Sequence, residues 1–489
     1  MRATLNAPNI LFAIADDASH MSAYGHRFVR TPNFDQVAEH GVLFTNAFTS
    51  NPKCAPARAS ILTGMHSWQL EEAANHFGIF PAKFAVFPDL LEQAGYHIGF
   101  TGKGWAPGDW KAGGFTRNPA GPEYNDIRLT PPAHTGISSV DYAGNFDAFL
   151  DARPDDSPFF FWYGGHEPHR DYIAGEGTRA GKSIDDVDVP PYLPDDDVVK
   201  NDLLDYAHEI EWFDQHLGRM IDTLARTGQL ENTIIVVTSD NGMPFPRVKG
   251  QMYEQDFNLP LAIRWDARAP AGRVIHDLIS FIDFAPTFLQ AATVDAHAQI
   301  EGTSLIDLLT SDRSGWIDPT RDRAYLGRER HDIGRENDLG YPVRCVRTRD
   351  YLYVRNFHPE RWPAGNPQTG FTNVDDSPTK TLILDQYYQH ETDHYFQLAF
   401  AKRPAEELYN ITTDPACLHN LADDPDHQTI KNALWRDLER KLVQTRDPRV
   451  LGHGDIFETY EYTGQKGHSW QAYLNGTLTK TSYPESSDT

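Results

Sequence analysis

Hydrophobic and polar positions alternate between two textures along the first half of the chain. Short runs rich in β-branched and aromatic residues, Asn9–Ala15, His97–Thr101, Pro158–Tyr163, Thr233–Thr238 and Leu259–Trp265, read as strands. Between the third and the fourth, Leu203, Ala207, Ile210, Phe213, Leu217, Met220, Ile221 and Leu224 recur at three- and four-residue steps. That spacing predicts a helix from about Val198 to Thr227, stopped by Gly228. Strands alternating with helices favour a mostly parallel sheet covered by helices on both faces.

A stretch from about Ala106 to Gly144, rich in Gly and Pro, reads as a long covering loop. After about Gly340 the texture changes. Tyr341–Asn356 alternates around Thr348-Arg349-Asp350 and predicts a hairpin, and Ile430 to Val443 predicts an amphipathic helix. The economical division is an N-terminal α/β domain over 1–340 and a smaller C-terminal α+β domain over 341–489 that completes the pocket. Glu360 to Thr379, full of Pro, Gly, Asn and Asp, reads as a long surface loop.

Composition narrows the function. Of 489 residues, 44 are Lys or Arg and 69 are Asp or Glu, a net charge of -25, while 40% are apolar. Apolar content at that level excludes an intrinsically disordered chain. The acidic balance argues against nucleic-acid binding, which needs clustered cations. No apolar run approaches the roughly 18–20 residues of a membrane span, so no membrane partner is expected. Arg2 followed by Ile10–Ala15 imitates a leader peptide. Its apolar run is too short, and it ends in Asp16-Asp17. The expected location is periplasmic or secreted for a chain that has lost a leader, and cytoplasmic otherwise. Three cysteines, Cys54, Cys345 and Cys417, allow one disulfide at most and no cysteine-based zinc cluster.

Polar residues gather just past the predicted strands: Asp16 and Asp17 after the first, Lys103 after the second, His166 after the third, Asp240 and Asn241 after the fourth. In an open α/β sheet that edge is where ligands bind. Taken singly, each is an ordinary loop polar group or helix cap; four strands ending alike make a site. Asp16, Asp17, Asp240 and Asn241 are hard oxygen donors, suited to calcium or magnesium. Cys54 lies between Lys53 and Arg58, and a helix starting near Pro56 would favour an anion at its amino end.

The segment Cys54-Ala55-Pro56-Ala57-Arg58 resembles the Cys-x-Pro-x-Arg signature of the type I sulfatases, in which the cysteine is converted to formylglycine. Other marks of that family follow in order: Pro8-Asn9-Ile10-Leu11 before Asp16-Asp17, Thr31-Pro32-Asn33 with Asp35, Gly99 to Lys103, Ser239-Asp240-Asn241-Gly242, and Glu407-Leu408-Tyr409-Asn410 through Asp414-Pro415 to Asn420-Leu421. The resemblance covers about Pro8 to Leu421. It implies an alkaline-phosphatase-like α/β fold, maturation by a formylglycine-generating or anaerobic sulfatase-maturating enzyme, and a divalent ion, calcium first, bound by Asp16, Asp17, Asp240, Asn241 and the matured Cys54. It further implies that Arg58, Lys103 and Lys249 neutralise sulfate and that His166 protonates the leaving group.

One position departs from the pattern: many sulfatases read Gly-Lys-Trp-His where this chain reads Gly102-Lys103-Gly104-Trp105, so Trp105 stands at the histidine and His76 or His66 becomes a substitute. Segments 161–170, 239–249 and 340–344 look like the heparan N-sulfatase branch. That likeness implies a sulfated oligosaccharide substrate, with His169, Arg170, His331 and Arg344 as candidate substrate-binding residues. The alternatives are a phosphonate or phosphate monoester hydrolase of the same superfamily and a non-catalytic glycan-binding relative.

Overall fold

The computed structural model describes residues 7–154, 157–390 and 392–479. Its first nine strands are β1 (Asn9–Ala15), β2 (Val42–Phe44), β3 (Ala47–Phe48), β4 (His97–Gly102), β5 (Phe159–Gly164), β6 (Thr233–Ser239), β7 (Leu261–Arg264), β8 (Arg273–Ile275) and β9 (Ile279–Ser280). Among the described residues seven of them form one sheet in the order β4-β5-β1-β6-β7-β2-β8, and β3 pairs with β9 beside it. β4, β5, β1 and β6 run parallel. The run expected over Leu259–Trp265 forms the shorter β7, antiparallel to β6.

The period of two in β1 divides the core. Ile10, Phe12 and Ile14 pack on one face with Ala55, Ala59 and Leu62 of the helix Cys54–Thr63. Leu11, Ala13 and Ala15 pack on the other with Leu203, Ala207, Ile210 and Leu217 of the helix Asp197–Arg226. Both faces of the sheet are therefore covered, as all-apolar parallel strands require. The Asp196 side chain caps the long helix by accepting from the Val198 N–H. Among the described residues no helix is long and apolar enough to cross a membrane, and the three cysteines are buried and unbridged.

A second sheet, β10 (Arg323–Arg328), β11 (Val343–Thr348), β12 (Tyr351–Asn356) and β13 (Glu406–Asn410), is antiparallel throughout and is ordered as its strands follow in the chain. The expected hairpin is β11–β12, and the expected helix spans Gln428–Gln444. The division expected at Gly340 does not coincide with this sheet, because β10 pairs in register with β11 from Arg323 onward. This antiparallel sheet marks the smaller C-terminal domain, and the chain after β12 also packs on the first domain: Phe371, Ile383, Leu384 and Phe396 join the core against the long helix, and Thr379 donates to Asp202 on it at 2.6 Å.

The stretch from Glu360 to Thr379 is a second correction. Ala364, Thr369, Phe371, Asn373 and Val374 are buried. Lys380 staples it from within, its Nζ donating to Val374 O at 2.9 Å and to Phe371 O at 3.3 Å. Polar composition here marks a backbone satisfied internally rather than by water.

Candidate active site

The parallel register of β1 and β6 places Ala15 opposite Ser239, so Asp16-Asp17 and Asp240-Asn241 leave the sheet side by side. Asp17 adopts the left-handed region at φ 75°, a cost tolerated where neighbours fix it. Its N–H donates to Asp240 Oδ1 at 3.2 Å, and the next N–H, of Ala18, donates to Ser239 Oγ at 2.7 Å.

The helix Cys54–Thr63 is buried along its whole length and begins at this edge. Cys54 Sγ lies 3.3 Å from Asp16 Oδ1 and 3.9 Å from Asp17 Oδ1. Single donor atoms of Asp16, Asp17, Cys54 and Asp240 all fall within 4.8 Å of one another. One turn into the helix, Arg58 Nε donates to Asp240 Oδ2 at 2.8 Å, and one terminal nitrogen donates to the carbonyls of Lys103 and Gly104 at 2.7 and 3.1 Å. Gly102 turns at φ 72°, where a β-carbon would stand 2.0 Å from the Gly164 carbonyl oxygen. Only glycine allows that approach, and the turn carries Lys103 Nζ to 2.5 Å from Asp16 Oδ2. Lys249 Nζ sits 2.6 Å from Asp17 Oδ2 and 3.1 Å from Asp375 Oδ2.

Charge balance follows from these distances. Burial alone would raise the Asp16 pKa, but Lys103, His169, Arg58 and Lys249 hold it well below the usual carboxylate range. Burial and the Asp16 charge push Asp240 up to about 7. Burial, with Asp16 beside it, also raises the Cys54 thiol well above its ordinary value. The anion expected at the helix amino end is therefore not a thiolate, because desolvation and carboxylates outweigh the helix terminus.

The cluster fits a hard divalent ion. Asn241 Nδ2 donates to Asp17 Oδ1 at 2.7 Å, while its Oδ1 is buried and has no hydrogen-bond partner among the described residues. A buried acceptor left over beside three carboxylates is the donor a cation would use.

The other predicted residues divide. His166 faces a cleft that also contains Asp16, Lys103 and His169. Although its ring meets solvent, desolvation by the cleft walls, opposed by Asp16, lowers its pKa to about 4. His169 Nε2 is 3.9 Å from Asp17 Oδ2. The remaining three are engaged by other protein groups, although Arg170 also lines that cleft. Arg344 is fully buried, with Nε on Asp447 at 2.8 Å and a terminal nitrogen on Glu329 at 2.6 Å. His331 is fully buried against Asn51 Oδ1 at 2.9 Å. Arg170 is gripped by both Asp202 oxygens at 2.7 and 2.8 Å and by the Pro244 carbonyl at 2.9 Å. The two arginines are paired with carboxylates inside the protein, and burial holds the His331 pKa well below its ordinary value.

Trp105 is buried in the core and donates through Nε1 to the Ala55 carbonyl at 3.0 Å. His66 lies beyond the far end of the helix that starts at Cys54, stacked on Trp68 at 4.4 Å. His76 Nδ1 lies 2.9 Å from Asp332 Oδ1, and Asp332 Oδ2 lies 3.0 Å from Lys53, the neighbour of Cys54. Asp332 and Asp375 were missed from sequence. Each sits in an irregular polar segment with no motif, and only the fold brings it beside a lysine of the cluster.

A mostly parallel sheet with acids, a cysteine and cations at its carboxyl edge defines a hydrolase of tetrahedral oxyanion esters. The sequence matches the Sulfatase family over residues 8–294 and the N-sulphoglucosamine sulphohydrolase C-terminal family over residues 248–362. The chain belongs to the sulfatase family, whose members are sulfuric ester hydrolases. It is 26% identical over 501 residues to human N-sulphoglucosamine sulphohydrolase, spanning 92% of this chain and 93% of that one. It is 26% identical over 479 residues to an ulvan-active sulfatase of Formosa agariphila, spanning 92% of this chain and 77% of that one. The fold is similar to a solved protein in complex with its substrate D-glucosamine-2-N,6-O-disulfate, with a TM-score of 0.64, 21% identity and coverage of 90% of this chain and 99% of that one. It is also similar to the phosphonate monoester hydrolase of Agrobacterium radiobacter, with a TM-score of 0.63, 19% identity and coverage of 90% and 96%.

Proposed function

We propose that this sulfatase hydrolyses sulfate esters or sulfamates of sulfated carbohydrates, N-sulfoglucosamine or a related glycan sulfate foremost, using a formylglycine made from Cys54 by a maturating enzyme. The observation that carries this reading is the convergence of Cys54, Asp16, Asp17 and Asp240 within 4.8 Å. The names of the N-sulphoglucosamine and ulvan-active relatives support a carbohydrate substrate. Asp16, Asp17, Asp240 and Asn241 offer oxygen alone, which suits calcium, with magnesium second. Such an ion supplies Lewis acidity toward a sulfate oxygen. A matured residue 54, as the hydrated aldehyde, offers one hydroxyl to attack sulfur and a second through which sulfate is expelled.

The remaining work belongs to the side chains. Arg58, Lys103 and Lys249 surround the place where sulfate meets residue 54 and neutralise its oxygens. Lys103 and Lys249 rest on Asp16 and Asp17, and with those carboxylates holding a cation both ammonium groups would be left to sulfate. A bound sulfate anion raises the proton affinity of His166, which then hands its proton to the leaving oxygen or nitrogen. For the base that Trp105 cannot supply, His76 is favoured over His66. Burial, opposed by Asp332, lowers its pKa to about 4. Its Nε2 is buried and without a hydrogen-bond partner among the described residues.

The test is release of sulfate by the matured protein from N-sulfated and O-sulfated glucosamines, set against phosphate and phosphonate monoesters. Sulfate release that disappears in Cys54→Ala supports the reading. Faster cleavage of a phosphonate monoester, or no cleavage of any ester by matured protein, contradicts it.

A further inference from the structure

Two cavities flank the cluster. One, of about 190 Å³, is walled by Asp332, Asp375 and Asp376 together with Lys380. It adjoins the reaction centre, because Asp375 is 3.1 Å from Lys249 and Asp332 is 3.0 Å from Lys53. The other, of about 380 Å³, includes Asp16 and Lys103 and continues past Glu167, Asp171, Glu209 and Arg170.

The cations on these walls are committed to the protein or to the sulfate that is removed. The Lys380 side chain is 2% exposed, and its Nζ holds Asp376 at 2.8 Å as well as two backbone carbonyls. Arg170 is closed on Asp202, and Lys103 and Lys249 serve the cluster itself. The exposed carboxylates are less fully matched. Asp376 is 63% exposed with one partner, and Asp171 is exposed. Despite burial, Lys53 with His76, and Lys249 with Lys53, keep Asp332 and Asp375 ionised. Arg344, a candidate substrate-binding residue from the sequence, is fully buried and lines neither cavity.

We infer that the site takes a sulfate ester or sulfamate whose remainder carries no second anionic group, which on the carbohydrate reading above means a saccharide neutral or cationic apart from the sulfate removed. Hydroxyl or amine donors of such a sugar meet acceptors in Asp332, Asp375 and Asp376. A second sulfate or a uronate would meet carboxylates, with no uncommitted lysine or arginine among the described lining residues to receive it, and like-charge juxtaposition is how sites reject a wrong ligand. Reactions that strip neighbouring sulfates and remove uronic acids must therefore come before this one in degradation of a polyanionic glycan.

The test compares kcat/KM within two substrate pairs. One pair is glucosamine N-sulfate and glucosamine N,6-O-disulfate; the other is an aryl sulfate bearing a carboxamide and the same aryl sulfate bearing a carboxylate. The singly charged member of each pair should lead by about tenfold or more, and Asp376→Asn should narrow the gap between the two members. Discrimination within the aryl pair without cleavage of either sugar would remove the carbohydrate reading and leave the charge selection standing. Equal or faster turnover of the doubly charged member, or an unchanged gap in both Asp376→Asn and Asp171→Asn, would overturn the inference.

Discussion

Arg58 Nε and Asp240 Oδ2 meet at 2.8 Å with both side chains fully buried. This pair ties the helix that presents Cys54 to the end of β6, so the nucleophile's helix and the carboxylate edge are one rigid unit. Removing one partner leaves the other charge buried and unmatched.

Arg58→Ala should therefore cost about 3–5 kcal/mol of stability as well as sulfate release. Chemical denaturation checks the first and a turnover assay the second. A variant with wild-type stability would show that Asp240 had found another partner and that the clamp is dispensable.

Metal removal is the second test. Chelation should abolish activity, and calcium or magnesium should restore it, because each donor beside Cys54 is oxygen. Calcium should also raise the melting temperature of wild type and do so less in Asn241→Ala, a readout that needs no maturation. Recovery with zinc alone would refute the assignment.

Arg344→Ala separates a structural arginine from a substrate arginine. Its guanidinium is shared between Asp447 and Glu329 with no exposure, so truncation should destabilise by about 3–5 kcal/mol and leave KM of the folded fraction unchanged. A raised KM at wild-type stability would restore the sequence expectation.

That contrast marks the limit of legibility. The strands ending in Asp16-Asp17, Lys103, His166 and Asp240-Asn241 were readable because short apolar-rich runs bounded by polar residues have few other homes. Cys54, Pro56 and Arg58 were readable because they lie within one helical turn and carry a family spacing. The partners that hold Arg170, His331 and Arg344 were not readable, because a sequence shows a polar group and not what it meets: Asp202, Asn51 and Asp447 lie 32, 280 and 103 positions away. Asp332 and Asp375 escaped for the same reason, since Lys53 and Lys249 select them through space.

Stability should also depend on pH through the long helix. Burial, with Glu167 and Glu176 beside it, holds Glu209 well above its ordinary value of 4.5, and Glu176 rises to about 7. A carboxyl raised in the folded state contributes stability that is fully present below the unfolded value and is lost as pH climbs toward and through the folded one. Glu209→Gln removes that loss, so the melting temperature of the variant relative to wild type should rise from about pH 5 to about pH 8. A constant difference would show that Glu209 ionises normally.

The central claim is that Cys54, beside Asp16 and Asp17, acts only after conversion to formylglycine. Intact mass should therefore be measured on the same preparations as sulfate release, with and without a co-expressed maturating enzyme. Conversion lowers the mass by about 18 Da. Specific activity is predicted to scale with the fraction carrying that shift and to vanish in Cys54→Ser made in a host that matures only cysteine. Full activity in protein whose Cys54 is entirely unmodified would contradict the account.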